Sequence, residues 1–534
     1  MSGRAATVNI IPGDYALSVG RADMPPPPGW RWVALTDEAR LESGHTPSRE
    51  HAEYWNGGIP WIGIRDARAH HGSVILETAQ TVAQAGLDNS AARLLRAGTV
   101  CLSRTASVGY VVVMGREMAT SQDFVNWVCG PGVEPAFLQK LLIAENRALF
   151  RFGKGSTHTT IYYPEVKAFH VCLPPLNEQR RIVAKLEALH ARSRRAREAL
   201  DAVPPLLEKL RQSILAAAFR GDLTKDWRAK NKNVEPASKL LERIRAERRK
   251  KWEESELAKL KAKGKPPTDD KWKSKYKEPG PIDTSGLPEL PAGWCWARAE
   301  EVCEFITKGT TPSAEKLGTV GQIPFIKVYN LTFDARVDFT VEPTFVDAQT
   351  HVGILARSRV LPGDVLMNIV GPPLGKVGIV PDSFPEWNMN QAIAVFRVVP
   401  GLGREYLANH LLSSRTVQWA VQKGKATAGQ LNLTLEVCRD LPVPLCPEAE
   451  QLLVVNRLSG ALSVVRQLGT ATVDSLRRIG QLEQAALAKA FRGELVPQDP
   501  NDEPAETTSS QQDVSAASTK KPKRRTLEKP TAHA

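Results

Sequence analysis

Apolar residues recur along two stretches of the chain at alternating steps of four and three. The first runs through Ile182, Leu186, Leu189, Ser193, Ala196, Leu200, Val203, Leu207, Leu210, Ile214 and Ala217. This is a heptad a/d seam, mostly apolar, and it predicts a long amphipathic helix. Moving 272 residues on gives Val454, Leu458, Ala461, Val465, Leu468, Thr472, Ser475, Ile479, Leu482 and Ala486, a weaker seam in the same register. At 1.5 Å per residue, rods of about 40 residues span roughly 60 Å. Pro204-Pro205 interrupts the first. Proline removes a backbone donor, so a kink or short break is expected there. Gly221 and Gly493 follow the last periodic residues, where helices stop.

The matched rods are part of a wider repeat. Pro28-Gly29-Trp30-Arg31-Trp32 returns as Ala292-Gly293-Trp294-Cys295-Trp296, and Ile59-Pro60-Trp61-Ile62 as Ile323-Pro324-Phe325-Ile326, both offset by 264. Gly44-His45-Thr46-Pro47 returns as Gly309-Thr310-Thr311-Pro312 at 265. Leu173-Pro174-Pro175 with Glu178-Gln179 returns as Leu445-Cys446-Pro447 with Glu450-Gln451, and Ala218–Leu223 as Ala490–Leu495, both at 272. The offset drifts inside the large segments and is constant across the rods. Loops tolerate insertion and a packed helix pair does not. Each rod therefore follows a variable globular domain, and shared register favours pairing of the rods over separate packing on their own domains. Around a pseudo-twofold axis they would run antiparallel.

This gives an N-terminal extension (1–23), a first domain (24–176), a rod (177–223), a linker (224–286), a second domain (287–447), a second rod (448–496) and a disordered tail (497–534). Within the domains, Val100–Leu102, Tyr110–Val113, Val365–Met367 and Ala394–Val398 read as strands. Glu134–Phe150 and Gly403–Gln422 read as helices. The fold class is mixed α/β (α+β) with a small irregular sheet. The linker's Leu240–Lys263 carries a helical charge pattern between proline-rich ends, which suits either a solvated spacer or a partly ordered helical insertion.

Charge changes the picture. The 534 residues carry 71 Lys+Arg against 58 Asp+Glu, a net +13, which points to a polyanionic partner. The two domains are nearly neutral, at +1 for 1–176 and −2 for 281–447. The surplus sits in residues 224–280 at +9, in 177–223 at +4 and in 519–534 at +5. No apolar run approaches the roughly 20 residues of a membrane helix, and Met1–Ile10 has no signal core. Seven cysteines without a C-x-x-C read as reduced thiols in a cytoplasmic protein.

No catalytic signature emerges. The Pro-Pro pairs lack the preceding Asn, Asp or Ser and following aromatic of an amine methyltransferase motif. Gly371–Lys376 and Gly153–Ser156 imitate parts of a phosphate loop, but the spacing and the hydroxyl after lysine fail. Pro381-Asp382 with Glu386 hints at a metal nuclease, but no lysine follows. His70-His71 diverge in most backbones, which argues against a metal pair.

The run Leu173–Val183, followed 40 residues after its Gln179 by Ala218–Thr224, with a degenerate second copy and Gly-Trp-x-Trp openings, resembles the specificity subunit of Type I restriction-modification systems. That resemblance covers about residues 24–496. It implies two target recognition domains, each reading half of a bipartite site in double-stranded DNA. The helices would set the gap and dock two modification subunits. It also implies restriction subunits in the same assembly, no catalytic site on this chain and no cofactor bound by it. S-adenosylmethionine belongs to the modification subunits, and ATP and Mg to the restriction subunits. Landmark residues for docking and spacing would be Pro174, Pro175, Glu178, Gln179, Phe219, Arg220, Gly221, Glu450, Gln451, Phe491, Arg492 and Gly493. This chain departs from the pattern at Leu445–Gln451, where the motif is eroded, and at Pro204-Pro205.

Base reading needs donors and acceptors at loops and strand ends. Candidates in the first domain are Thr46, Ser48, Arg65, Arg104, Thr105, Ser107, Lys154, Ser156 and Thr157. In the second they are Thr310, Thr311, Ser313, Lys327, Asn330, Asn368, Lys376, Lys423, Lys425 and Thr427. The competing readings are a stand-alone DNA-modifying enzyme with an unrecognised site and a coiled-coil structural protein without DNA preference.

Overall fold

The computed structural model describes residues 17–19, 25–105, 107–145, 149, 159–264, 267, 269–427 and 430–503. The chain forms two units, Met1–Ala199 with Ser475–Ala534, and Leu200–Asp474. Each unit therefore takes the start of one rod and the end of the other.

The first unit is built on a five-stranded sheet in the order Ala39–Ser43, Phe124–Cys129, Val100–Ser103, Val111–Met114 and Val74–Ile75. Val100–Ser103 and Val111–Met114 are buried throughout because both faces are covered. Val100, Leu102, Val111 and Val113 pack with Phe137, Leu138 and Leu141 of the helix Pro135–Ala144. Cys101, Val112 and Met114 point the other way, onto Ile62, Ile75 and Phe124. A smaller sheet joins Gln80–Val82, Trp55–Ile62 and Ala119–Thr120. Leu17–Val19, inside the segment read as an extension, is a strand parallel to Phe169–Leu173.

The second unit repeats the plan. Its main sheet runs Cys303–Lys308, Ile393–Val398, Val365–Asn368 and Val377–Ile379. Its smaller sheet runs Phe345–Val346, Ile323–Ile326, Trp387–Met389 and Arg359–Val360. The expected helix Gly403–Gln422 is two helices, Arg404–Leu411 and Ser414–Lys423. Gln212 of the rod holds the break: its amide donates to Leu412 O at 3.4 Å and accepts from Ser414 N at 2.7 Å. Similarly, the expected helix Glu134–Phe150 ends at Ala144, and part of its predicted remainder lies outside the described residues.

The first rod is two helices, Leu176–Asp201 and Val203–Phe219. Pro204-Pro205 lies in the first turn of the second, where the missing N–H leaves no intrahelical bond unmade. The other rod is one helix, Glu448–Ala490. In the first unit, Ile182, Val183 and Leu186 share a core with Leu487 and Ala490, and Arg197 Nη2 donates to Glu483 Oε2 at 2.8 Å. In the second, Leu215 and Ala218 share a core with Val454 and Leu458. The helices thus run antiparallel within each unit. Three leucines of the seam, Leu210, Leu468 and Leu482, are exposed instead, at 44%, 47% and 67%.

The repeat motifs are the clamps of this arrangement. Trp30 Nε1 donates to Glu178 Oε1 at 3.1 Å, and Trp294 Nε1 to Glu450 Oε2 at 2.9 Å. Gln179 accepts from Glu134 N at 2.8 Å and donates to Gly132 O and Pro174 O. Its repeat mate Gln451 accepts from Gly403 N at 2.9 Å and donates to Gly401 O and Cys446 O. At the other end of each rod, Phe491 meets Phe137 edge-on at 5.5 Å, and Phe219 meets Tyr406 at 5.2 Å. Gly493 and Gly221 turn with positive φ against Pro27 and Pro291, leaving no room for a Cβ. Arg492 pairs with Glu494, and Arg220 with Asp222.

The two carboxylates differ in their company. Glu450 also accepts from Thr224 Oγ1 at 2.6 Å and from the Arg228 guanidinium at 2.5 Å. Glu178 is buried without a cation of that kind, and burial pushes its pKa up. Glu450→Gln should therefore cost about 1.5–3 kcal/mol, the range for a hydrogen bond to a charged group. Glu178→Gln keeps an acceptor for the indole and should cost less than about 1 kcal/mol. Urea unfolding of the full chain measures both; a larger loss for Glu178→Gln contradicts the assignment.

His410 lies under Phe219, at 5.0 Å between ring centres, and donates to Pro442 O at 2.7 Å. Burial pushes its pKa down from 6.5 to about 4. The folded chain keeps this ring neutral while the unfolded chain protonates it, so its contribution is complete above pH 6.5 and declines toward pH 4. Compared with wild type, His410→Gln should show a shallower fall in urea midpoint over that window.

Candidate nucleic-acid interface

In the first unit, the strand Trp55–Ile62 lies parallel to Ala119–Thr120, with Ile62 opposite Thr120. The turn Ser121–Asp123 follows, held by Ser121 N donating to Ile62 O at 3.0 Å. Onto this turn packs the loop Gly44–Ser48. His45 N donates to Thr120 O at 2.9 Å, and a Cβ on Gly44 would sit 1.9 Å from Ser121 O. Only glycine permits that approach. Thr46 Oγ1 donates to Gln122 Oε1. Thr105 Oγ1 donates to Asp123 Oδ1 at 2.6 Å, and Arg104 Nη2 to Gln122 O at 3.1 Å. Thr46, Arg104 and Thr105 thus converge on one turn from distant parts of the sequence.

Beside it, Trp61 Nε1 donates to His45 O and Trp55 Nε1 to Ser48 O, both at 3.1 Å. The Arg49 guanidinium lies 3.9 Å from the Trp55 ring centre and donates to Gln80 Oε1 at 3.0 Å. Arg65 is exposed on the short helix Ile64–Ala69 that follows Ile62. Ser107 closes the turn after Thr105, its carbonyl accepting from Ser103 Oγ at 2.5 Å. Lys154, Ser156 and Thr157 lie outside the described residues.

The second unit builds the same loop pair. Ile326 lies opposite Met389, and Asn390 N donates to Ile326 O at 3.0 Å. Thr310 N donates to Met389 O at 3.2 Å, and a Cβ on Gly309 would sit 2.0 Å from Asn390 O. Thr311 Oγ1 accepts from Gln391 N at 3.2 Å, and Arg357 Nε donates to Thr310 Oγ1 at 3.2 Å. Lys327 follows directly on Ile326, its ammonium 5.6 Å from the Tyr329 ring centre. Ser313 is exposed just beyond.

Two candidates are reassigned. Asn330 and Asn368 are 1% and 0% exposed and cannot reach a base edge. Asn330 donates to Asp338 O and Val341 O and accepts from Lys327 N; Asn368 donates to Val370 O and Pro373 O and accepts from Lys376 N. They shape the loops that carry Lys327 and Lys376. Lys376 is half-buried near Phe333. Lys423 is exposed in the last turn of its helix. Lys425 and Thr427 lie on a strand paired with Gln430–Asn432.

Sequence reasoning missed Gln122 and Gln391, the second half of each loop pair. Their separation of 269 falls inside the drift of the repeat and could have found them. It also missed Arg49, Trp55 and Arg357. The pairs are equivalent but not identical: Arg104 N donates to Asp123 O at 2.7 Å, and the matching bond, at 2.8 Å, comes from Ile369 N to Ala392 O.

The nuclease-like Glu386 is held by His351 Nε2 at 2.7 Å and lies 3.7 Å from Arg359. The bond from His351 holds its carboxyl below the usual range. His71 Nδ1 accepts from Val111 N at 3.1 Å, and burial lowers its pKa. All seven cysteines are unpaired. Among the described residues, no group of three or more His, Cys, Asp or Glu is placed to hold a metal, and no helix is long and apolar enough to cross a membrane.

Residues 27–200 match the family described as Type I restriction modification DNA specificity domain. The chain is 23% identical to the EcoDI specificity subunit of Escherichia coli, over 68% of this chain and 71% of that protein. It is 28% identical to the E. coli EcoBI specificity subunit over 61% of this chain, and this match spans 58% of that protein. An HsdS subunit from Thermoanaerobacter tengcongensis superposes over 88% of this chain and 98% of its own, with TM-score 0.51 and 22% identity. A chain solved in work on assembly and conformational transition of the type I R-M system covers 88% of this chain and 100% of its own, with TM-score 0.59 and 21% identity.

The chain resembles the Type I specificity subunits, with a DNA specificity domain matched at residues 27–200. The Trp–Glu and Phe clamps recur in both units of this chain. The loop pairs above are built alike in the two units.

Gly309→Ala should force Thr310–Thr311 away from Asn390–Gln391. An overpacked site of this kind costs about 1–3 kcal/mol. Hydrogen exchange should quicken at the Gln391 amide and stay unchanged around Ser121–Asp123. Unchanged exchange at Gln391 would contradict the packing.

Proposed function

We propose that this chain is a specificity subunit that reads a bipartite sequence in double-stranded DNA, each domain reading one half through its loop pair, and that it is not itself catalytic. The observation that carries this is the same constellation built twice in one chain, a Gly-x-Thr-Pro loop locked by glycine contact to a turn that carries Gln122 or Gln391. Two readers on one chain gain from effective concentration, and a stiff spacer makes that gain depend on the gap between half-sites. Positions shared by the two loop pairs suit what all half-sites have in common, the phosphate backbone. Positions that differ between the loop pairs, such as Arg104 in the first unit and Arg357 in the second, suit discrimination of bases.

Two modification subunits would supply S-adenosylmethionine, and restriction subunits would supply ATP and Mg chemistry. Glu178, Gln179, Glu450 and Gln451 are buried and support such docking only by fixing the rods. The docking faces are instead the matched grooves at the rod ends. One is lined by Trp32, Phe491 and Arg492, the other by Trp296, Phe219 and Arg220. The exposed Leu210, Val464 and Leu468 extend the docking surface along the rods.

The test is to assemble the chain with modification subunits and map methylated adenines genome-wide. A two-part site with a fixed gap is expected. Arg104→Ala should relax one half and Arg357→Ala the other. Methylation by the chain alone, or variants that leave both halves unchanged, would overturn the reading.

A further inference from the structure

The segment between the first rod and the second domain is an ordered insertion with two dissimilar halves. Its helix, Ala237–Ala262, is rooted at one end. Ala237, Leu240, Leu241 and Ile244 are buried in the core of the second unit, with Leu240 and Ile244 against Gly401. Arg245 donates twice to Glu301 Oε1, at 2.9 and 2.5 Å, and Arg248 and Lys251 face Glu300 and Glu304 at 3.8 and 3.9 Å. Beyond Lys251 the helix continues for roughly 16 Å at 1.5 Å per residue. The chain then returns alongside it. Trp272 stacks on Trp252 at 6.2 Å, and Tyr276 meets Trp252 at 5.3 Å and the Arg249 guanidinium at 5.8 Å. The distal half is therefore a folded hairpin on a fixed base.

Its charge is one-sided. Residues 259–277 hold eight lysines and two acidic side chains, Asp269 and Asp270. Both aspartates are paired inside the hairpin, to Lys271 and Lys273. Lys259, Lys261, Lys263, Lys271, Lys275 and Lys277 are exposed. Among the described residues of the insertion, no large apolar side chain is exposed. A protein interface is depleted in lysine and needs an apolar centre. A row of flexible point charges without arginine forks or an apolar centre fits phosphates instead.

We propose that this hairpin is an arm that contacts the phosphate backbone of duplex DNA, adding sequence-independent affinity beside the bases its domain reads. The proposal rests on the DNA-reading role above and adds a surface to it. The arm sets affinity and salt dependence, and the near-neutral loop pair sets sequence.

The experiment uses the full chain assembled with modification subunits. The six exposed lysines are replaced by glutamine in one variant and by arginine in another. Duplex binding is titrated against salt, with and without the mapped site. Each lost phosphate contact lowers the slope of log affinity against log salt by about 0.9. The glutamine variant should lose about 3–5 units of slope on both duplexes, the arginine variant should match wild type, and the methylated sequence should not change. An unchanged slope in the glutamine variant overturns the arm. So does failure of that variant to assemble, rescued by arginine, with an unchanged slope in whatever complex forms, since the surface then serves a protein. If wild type shows no preference for any site, the reading role fails, and the slope on non-specific duplex still decides the arm.

Discussion

A carboxylate buried at the start of each rod and an indole from the domain beside it set the terms for everything else. Glu178 and Glu450 are 1% and 0% exposed, and each accepts the N–H of the first tryptophan in a Gly-Trp-x-Trp motif. A buried acceptor without a donor is costly, so the rod cannot rotate or slide without breaking that bond. The next residue, Gln179 or Gln451, fixes the loop before a domain helix by three hydrogen bonds. Helix register and domain orientation within each unit are thus determined together, at one residue pair.

The closing contact is made by the other rod. Phe491 belongs to the second rod yet packs in the first unit, and Phe219 belongs to the first rod yet packs in the second. Each unit is completed by a segment that arrives from far along the chain. This explains why rod length is constant in the repeat while domain length drifts. Inserting residues in a domain loop leaves both clamps intact, whereas inserting them in a rod separates its glutamate from its phenylalanine.

Much of this was legible because repetition compares the chain with itself. The motifs that recur at fixed offset turned out to be clamp residues, and their burial is the physical reason they tolerate so little change. The domains' interiors were less legible. Gly403–Gln422 reads as one helix because nothing local breaks it; the break is held by Gln212, 200 residues before Leu412. Asn330 and Asn368 resemble base readers by type and loop position, and only three-dimensional placement shows their amides facing inward. Leu210, Leu468 and Leu482 fit the heptad yet face outward, because periodicity gives a face but not its partner. On the candidate interface, single residues such as Thr46 were visible in the repeat, but their partners Gln122 and Gln391 needed the parallel strand pairs that place them.

The distribution of charge follows from the same division of labour. A domain that discriminates bases gains nothing from a strong field, since phosphates attract lysine equally everywhere. On the proposed reading, the +1 and −2 of the domain segments leave discrimination to a few placed donors and acceptors around the two turns. Further affinity would then come from elsewhere on the chain. Residues 224–280, at +9, are ordered through Ala237–Ala262 on one domain rather than trailing as a free spacer. A charged element with a rigid base contributes affinity at a defined place, whereas a free spacer would spread the same charge over many positions. On the proposed reading, keeping the two functions on separate surfaces would let the recognised sequence change by substitution in the loops without altering how strongly DNA is held.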